Sequence, residues 1–148
     1  MRTVASTKPQ LIKVNDENRY QLNRFYKRNG HRGKATASHQ AWWLEHKGNI
    51  VAALRLEPHP WGNLLRGMWV ATELRGQGLG TYFLTLLKPE LVIKECFCLP
   101  YKYQQKFYLR NGFINAQASA PCALRQQHRH YTDRGEELGL MQYQPPCD

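Results

Sequence analysis

The chain has 148 residues, of which 42% are apolar, and its 21 Lys and Arg against 11 Asp and Glu give a formal net charge of +10. This length fits one domain, residues 1–148, and the apolar content is enough for a core. Five Phe, four Trp and eight Tyr argue against disorder. The positive charge favours anionic partners such as phosphates, nucleotides or nucleic acid. No apolar run reaches the ~18 residues of a membrane helix, and residues 1–10 lack the apolar stretch of a secretory signal. We therefore expect no membrane association and a cytoplasmic location.

The predicted elements alternate between strands and helices along the chain. Apolar runs bounded by turn residues indicate strands, and apolar residues three or four apart indicate helices. The helix in the middle of the chain is expected to stop near Lys88–Pro89, because proline disfavours helix in the residue before it. We predict strands at 9–14, 40–45, 49–56, 65–71, 91–98, 113–116 and 138–143, and helices at 17–28, 81–88 and 100–110, with a short helix possible in 119–135.

The cysteines do not have the spacing of a metal or redox site. Zinc and redox sites use C-x-x-C pairs, whereas the closest pair here is Cys96-x-Cys98. We predict reduced thiols and no bound metal, and the reactivity of Cys96 stays open. The four cysteines are Cys96, Cys98, Cys122 and Cys147.

The segment Arg75-Gly76-Gln77-Gly78-Leu79-Gly80 joins a predicted strand to a predicted helix. Alternating glycines leave backbone N–H groups uncovered by side chains, and the following helix start favours negative charge. The segment therefore predicts a site for phosphate oxygens. A dinucleotide fingerprint would need a third glycine where Thr81 stands, and a Walker loop would need Gly-Lys-Ser/Thr, so both common nucleotide loops are disfavoured.

Two motifs in order resemble the GNAT superfamily of N-acetyltransferases. The pattern Arg75-x-x-Gly78-x-Gly80 resembles the family's acyl-CoA pyrophosphate loop, and Val70 matches the valine that ends the preceding strand. Downstream, Tyr108-x-x-x-Gly112-Phe113 resembles the family's element after the fifth strand. The resemblance covers residues 50–116.

The resemblance implies an α+β fold, with a mixed, mostly antiparallel sheet flanked by helices on both faces and with splayed central strands. It also implies acetyl-CoA as the cosubstrate, with its pantetheine arm between the fourth and fifth strands. The residues implied to bind it are Met68, Trp69 and Val70 along the strand, and Arg75, Gly76, Gln77, Gly78, Leu79, Gly80 and Thr81 at the pyrophosphate.

The chemistry implied by the resemblance is direct transfer of an acetyl group to a primary amine of a small molecule, protein or peptide. Tyr108 matches the family's acid, and a phenol with a pKa near 10 is protonated at pH 7. Cys96 stands where several members carry a glutamate base on the fifth strand, and Tyr101 stands where many carry a cofactor-binding asparagine. The base therefore stays open among Glu45, Glu57, His59, Glu95 and a water chain.

The acceptor is expected between residues 17–38 and 117–137. Both segments are basic, which favours an acceptor with negative charge near its amine. A toxin-like acetyltransferase that acts on aminoacyl-tRNA is a less favoured alternative, and a non-catalytic module that binds acetyl-CoA and regulates a partner is another. Monomer and homodimer both stay open.

Overall fold

A computed structural model describes residues 8–145, which contain seven strands and four α-helices. Short 3₁₀ turns lie at Thr72–Leu74 and Lys102–Gln104. The strands are β1 (Gln10–Lys13), β2 (Gln40–His46), β3 (Asn49–His59), β4 (Gly62–Val70), β5 (Cys96–Cys98), β6 (Phe113–Asn115) and β7 (Met141–Tyr143), and the helices are α1 (Arg19–Arg28), α2 (Leu79–Leu91), α3 (Gln105–Arg110) and α4 (Cys122–Asp133).

The strands form a seven-stranded sheet in the order β1-β2-β3-β4-β5-β7-β6. The pairs β1–β2, β2–β3, β5–β7 and β6–β7 are antiparallel, and β4–β5 is parallel. This mixed, mostly antiparallel sheet confirms the predicted α+β fold class. β4 pairs with β5 only from Asn63 to Leu65, although β4 extends to Val70.

Two compact units divide the chain, and the first comprises residues 8–56 and 67–83 of the described part. Its core is organised by α1, whose buried side chains Leu22, Phe25 and Tyr26 have the spacing of one helical stripe. They cluster with the buried strand residues Trp43 and Ala53. The amphipathic helix therefore covers one face of the β2–β3 hairpin.

The second unit comprises residues 57–66 and 84–145 of the described part. Leu64, Phe97 and Leu124 are completely or almost completely buried in its core. Aromatic rings extend this packing, with Phe113 lying 5.2 Å from Tyr108 between ring centroids. That residues 1–148 form a single domain stays a prediction.

The predicted strand at 91–98 was wrong in its first half. Helix α2 continues through Pro89 to Leu91, and only Cys96–Cys98 is strand. Proline costs a helix one hydrogen bond, but here it lies in the last turn. Burial of Leu87 and Leu91, which are 0% and 2% exposed, favours the continued helix.

Other boundaries moved by a few residues. β3 runs through Pro58 to His59, three residues past its predicted end, and β4 begins at Gly62 instead of 65. α1 begins at Arg19 because the side chain of Asn15 accepts the N–H groups of Glu17 and Asn18, both at 2.9 Å, which forms a turn before the helix. The polar segment 119–135 contains the twelve-residue helix α4.

Candidate active site

The glycine loop presents an open backbone surface. Gly76 and Gly78 have φ angles of +81° and +82°, which L side chains rarely adopt, and a Cβ at either position would meet nothing within 4 Å. The first hydrogen bond of α2 runs from the Tyr82 N–H to the Gly78 carbonyl at 3.0 Å. The N–H groups of Leu79 and Gly80 therefore have no partner within the helix, and they lie at its positive end. This geometry fits the phosphate oxygens of a nucleotide such as CoA.

The predicted residues Trp69 and Arg75 lie together beside this loop. The Arg75 guanidinium is 5.1 Å from the centre of the Trp69 ring, and its Nε–H donates to the Val70 carbonyl at 3.1 Å. Arg75 is thus folded back onto the end of β4. Such a cation–π contact contributes on the order of 0.5–1 kcal/mol at an exposed position.

Asn29, at the end of α1, forms hydrogen bonds with the residues that precede the glycine loop. Its backbone carbonyl accepts the Trp69 Nε1–H at 2.8 Å, and its side-chain oxygen accepts the Thr72 N–H at 3.0 Å. Its amide group donates to the Phe25 carbonyl at 2.9 Å. The end of α1 therefore fixes both the end of β4 and the turn that precedes the loop.

Gly67, in the middle of β4, is a feature that the sequence analysis missed. Its φ of +62° is typical of a β-bulge, which locally re-aims a strand. The Tyr26 hydroxyl donates to the Gly67 carbonyl at 2.8 Å. Burial raises the pKa of Tyr26 to about 12, although nearby Arg55 acts to lower it, so the hydroxyl remains a donor. The available signal was a lone glycine within a predicted strand.

Arg55 is the second residue that the sequence analysis missed. It is buried on β3, only 5% exposed, with its guanidinium carbon 5.2 Å from the centre of the Tyr26 ring. Its Nη1 donates to His31 Nε2 at 3.0 Å. The signal was a single cation inside the apolar run Ile50–Leu56, which we had interpreted only as a strand.

Tyr108, the predicted acid, lies on α3 in the second unit. Its side chain is 5% exposed and contacts the rings of Phe107 and Phe113, with centroids 5.1 and 5.2 Å away. The helix ends as predicted, because the Asn111 amide donates to the Phe107 carbonyl at 2.8 Å and Gly112 has a φ of +92°. The role of Tyr108 stays a prediction.

Two of the four predicted base candidates lie in contact. Glu57 Oε1 is 2.7 Å from His59 Nε2, and Glu57 Oε2 is 3.6 Å from Arg66 Nη1. Of the other two carboxylates, Glu45 accepts the Trp43 indole N–H at 3.3 Å, and the side chain of Glu95 is exposed. The assignment of a base stays open.

Cys96 and Cys98 are free, buried thiols, whereas Cys122 is exposed. Burial raises the pKa of Cys96 from 9.0 to about 12 and that of Cys98 well above its ordinary value. Cys96 is therefore a thiol, not a thiolate nucleophile, at neutral pH. Cys147 lies outside the described residues. Within residues 8–145, no group of three His, Cys, Asp or Glu side chains is arranged for a metal ion.

Residues of the predicted acceptor segment 117–137 line an open cleft of about 660 Å³ in the second unit, together with Lys102 and Gln105. His128, on α4, contacts the Leu138 carbonyl at 2.6 Å on this cleft. In the first unit, Arg19, which lies in the basic segment 17–38, is already paired with Asp16. None of the helices between residues 8 and 145 is both long and apolar enough to cross a membrane.

The mixed sheet and the glycine loop between β4 and α2 are those of an acyltransferase fold. A family model described as an acetyltransferase (GNAT) domain matches residues 37–115, which is more than half of the chain. The chain therefore belongs to the GNAT family of acetyltransferases. No curated protein sequence matches it significantly.

Solved structures support the same fold. N-acetylglutamate synthase from Neisseria gonorrhoeae, complexed with coenzyme A and L-arginine, is similar over 94% of this chain, with a TM-score of 0.69 and 13% identity. The chain covers only 34% of that protein, about a third of its length. A GNAT family acetyltransferase from Elizabethkingia anophelis with acetyl-CoA bound has a TM-score of 0.61 and 11% identity, with 95% and 100% of the two chains covered.

A third similar structure is Arabidopsis thaliana Naa50 in complex with the bisubstrate analogue CoA-Ac-MVNAL. It has a TM-score of 0.63 and 15% identity, with 93% of this chain and 99% of that chain covered. At these identities the likeness extends to the fold alone.

Proposed function

We propose that this protein is an acetyl-CoA-dependent N-acetyltransferase that moves an acetyl group directly to a primary amine. The observation that carries the proposal is the open glycine loop at the start of α2, where Gly76 and Gly78 hold positive φ angles with no atom above them. Similar structures contain coenzyme A, acetyl-CoA or a bisubstrate analogue, which supports the same cosubstrate here.

The chain's own groups would hold acetyl-CoA at two places. The N–H groups of Gly76 through Thr81 would bind the pyrophosphate, with the Arg75 charge beside them. The backbone of Met68, Trp69 and Val70 would bind the pantetheine arm. Acetyl-CoA would supply the acetyl group as an activated thioester.

Tyr108 would serve as the general acid. A neutral phenol retains its proton at pH 7 and can donate it to a sulfur that develops negative charge. Gly67, whose positive φ is typical of a bulge and whose carbonyl accepts the Tyr26 hydroxyl, would aim a β4 backbone N–H at the carbonyl oxygen, where developing charge needs a donor. The acceptor would be a small molecule, a protein or a peptide, since similar structures are complexed with N-acetyl-glutamate and with the bisubstrate analogue CoA-Ac-MVNAL.

The test is acetyl transfer from acetyl-CoA to a panel of primary amines. Mass spectrometry detects the acetylated product, and the amount of free CoA thiol measures the rate. For Tyr108→Phe we expect turnover to fall roughly 100-fold or more with little change in acetyl-CoA affinity, because only proton donation is lost. Tyr103→Phe is the matched control, since Tyr103 is 80% exposed.

Each result has a defined meaning. Equal turnover in the two variants would remove Tyr108 from the role. Binding of acetyl-CoA without transfer to any amine would favour a regulatory acetyl-CoA-binding module. Salt-sensitive binding of tRNA with acetylation of aminoacyl-tRNA would favour the toxin-like activity. Failure to bind any CoA ester would refute the proposed function.

A further inference from the structure

Three polar side chains lie together on the β3–β4 hairpin, in the second compact unit. Glu57 Oε1 is 2.7 Å from His59 Nε2, and Glu57 Oε2 is 3.6 Å from Arg66 Nη1. The side chains of Glu57 and His59 are 25% and 27% exposed, so both are partly accessible to solvent. The contact with Glu57 gives the two ring nitrogens of His59 different roles.

Glu57 fixes the tautomer of His59. A carboxylate only accepts hydrogen bonds, so Nε2 of His59 carries the proton that Glu57 accepts. In a neutral imidazole the other nitrogen, Nδ1, then holds a lone pair. Nδ1 has no hydrogen-bond partner among residues 8–145, and it is not one of their buried polar atoms without a partner, so it reaches the surface. His59 therefore presents an accessible proton acceptor.

The ring of His59 is held in place by stacking on Trp61. The two rings are nearly parallel, with an interplanar angle of 5° and centroids 4.5 Å apart. Trp61 in turn meets Phe97 edge-on, with 5.5 Å between centroids. General bases in enzymes use the same arrangement, in which a third group orients the imidazole through one nitrogen and leaves the other to take the proton.

Contacts within the second unit connect this pair to the predicted substrate positions. β4 and β5 pair from Asn63 to Leu65, and Arg66 is the first residue of β4 beyond that pairing. The resemblance to the GNAT family implies a pantetheine arm between these two strands. Trp61 also packs against the core cluster that includes Leu124 of α4, within the predicted acceptor segment 117–137.

We propose that His59 is the general base of acetyl transfer and that Glu57 is its positioning residue. The inference rests on the proposed function, because the base acts on the amine that receives the acetyl group. A primary alkylamine is an ammonium ion at pH 7, and it has no lone pair to attack the thioester until a proton is removed. Nδ1 of His59 would remove that proton.

The protons and electrons of this step balance. His59 Nδ1 takes one proton from the ammonium, and the nitrogen lone pair forms the C–N bond as the C–S bond of the thioester breaks. The sulfur keeps the electron pair of that bond and takes a proton from Tyr108. The second proton lost by the nitrogen restores the Tyr108 hydroxyl. His59 then passes its proton to water, so the products are the amide, the CoA thiol and one proton.

The experiment compares the wild-type protein with His59→Gln from about pH 5.5 to 10, using the alkylamine of the panel that is acetylated fastest. Charged neighbours of the imidazole are Glu57 on β3 and, through Glu57, Arg66 on β4. Imidazole groups change charge between about pH 5 and 8, and alkylamines lose their own proton at about pH 10.

We expect the wild-type kcat/KM to exceed that of His59→Gln by roughly 100-fold at about pH 8. The ratio should fall below about tenfold at both ends of the range, where the imidazole is protonated or the amine is already neutral. A structural role of His59 would give a ratio that is constant with pH. Such a constant ratio, or equal activity of the two proteins at about pH 8, would overturn the assignment.

Two further variants separate the base from its positioning residue. Glu57→Gln can donate to Nε2 as well as accept from it, so His59 loses its fixed tautomer, and we expect a smaller fall in kcat/KM than for His59→Gln. His39→Gln removes another half-buried histidine, in the loop before β2, and should keep the wild-type pH profile. A larger fall for Glu57→Gln than for His59→Gln would make Glu57 the base and overturn the assignment.

Nitrogen NMR of the histidine side chains gives a readout that needs no turnover. In the wild-type protein at about pH 8, His59 should carry its proton on Nε2, and Glu57→Gln should shift it towards a mixture of the two tautomers. A proton on Nδ1 in the wild-type protein would refute the role of base. Failure of the wild-type protein to acetylate any amine refutes the proposed function, whereas acetylation that is unchanged in His59→Gln refutes only this inference.

Discussion

Gly78→Ala tests whether the glycine loop binds CoA through its backbone. Gly78 has a φ of +82°, and a Cβ there would meet nothing within 4 Å, so the substitution adds backbone strain without a clash. An alanine in the left-handed region costs about 1–2 kcal/mol. For a chain of this size we expect the melting temperature to fall by roughly 2–8 °C.

The same methyl group would stand over the N–H groups that we propose bind the pyrophosphate. Loss of one charge-assisted hydrogen bond costs about 1.5–3 kcal/mol, so the dissociation constant for CoA should rise roughly 10- to 100-fold. The measurements are isothermal titration with CoA and thermal unfolding of the unliganded protein.

Gly48→Ala is the matched control. Gly48 lies in the turn between β2 and β3 with a φ of +79°, and a Cβ there also meets nothing within 4 Å. The backbone strain of the two variants is therefore the same, and their melting temperatures should fall equally. If both variants bound CoA as the wild-type protein does, the loop would not hold the cosubstrate through its backbone.

Two further predictions concern buried groups. The free energy of unfolding should decrease as the pH rises from about 9 towards 12, because the thiol of Cys96 has its pKa raised by burial and ionises only in the unfolded chain. Cys96→Ala should reduce that slope by about 1.4 kcal/mol per pH unit in urea titrations, and an unchanged slope would contradict the assignment. Tyr26→Phe should destabilise the protein by about 1–3 kcal/mol, since it leaves the Gly67 carbonyl without its donor. Tyr20→Phe, at a tyrosine that is 58% exposed, should change stability by less than about 0.5 kcal/mol in the same urea titrations.

The fold was predictable from the sequence because its elements have strong local signals. Lys47 and Gly48, which both have positive φ angles, form the turn between the strands predicted at 40–45 and 49–56, and Asn111 and Gly112 end the helix predicted at 100–110. The sequence misplaced the boundary at Leu91, where burial of a leucine outweighed the local effect of Pro89. Tertiary packing decides such cases, and it has no local signature.

The place of the glycine loop between β4 and α2 was also predictable, because alternating glycines between a predicted strand and a predicted helix are a local signal. Its role in binding CoA stays a prediction. The contact between Arg55 and His31 was not predictable from the sequence, because the two residues lie 24 positions apart in the chain. The significance of Arg55 depends on its burial, which the sequence does not show. A cation in an apolar strand was visible in the sequence. Only the structure shows that no acidic side chain between residues 8 and 145 forms a salt bridge with it.

Asn29 shows that the conformation of the glycine loop depends on residues outside its own sequence. One residue ends a helix and holds Trp69 and Thr72, which lie 40 and 43 positions further along the chain. Aspartate could not donate to the Phe25 carbonyl, and glutamine, one methylene longer, would shift every bond. Transplanting residues 72–81 into another protein would therefore carry over the glycines without the support that sets their direction.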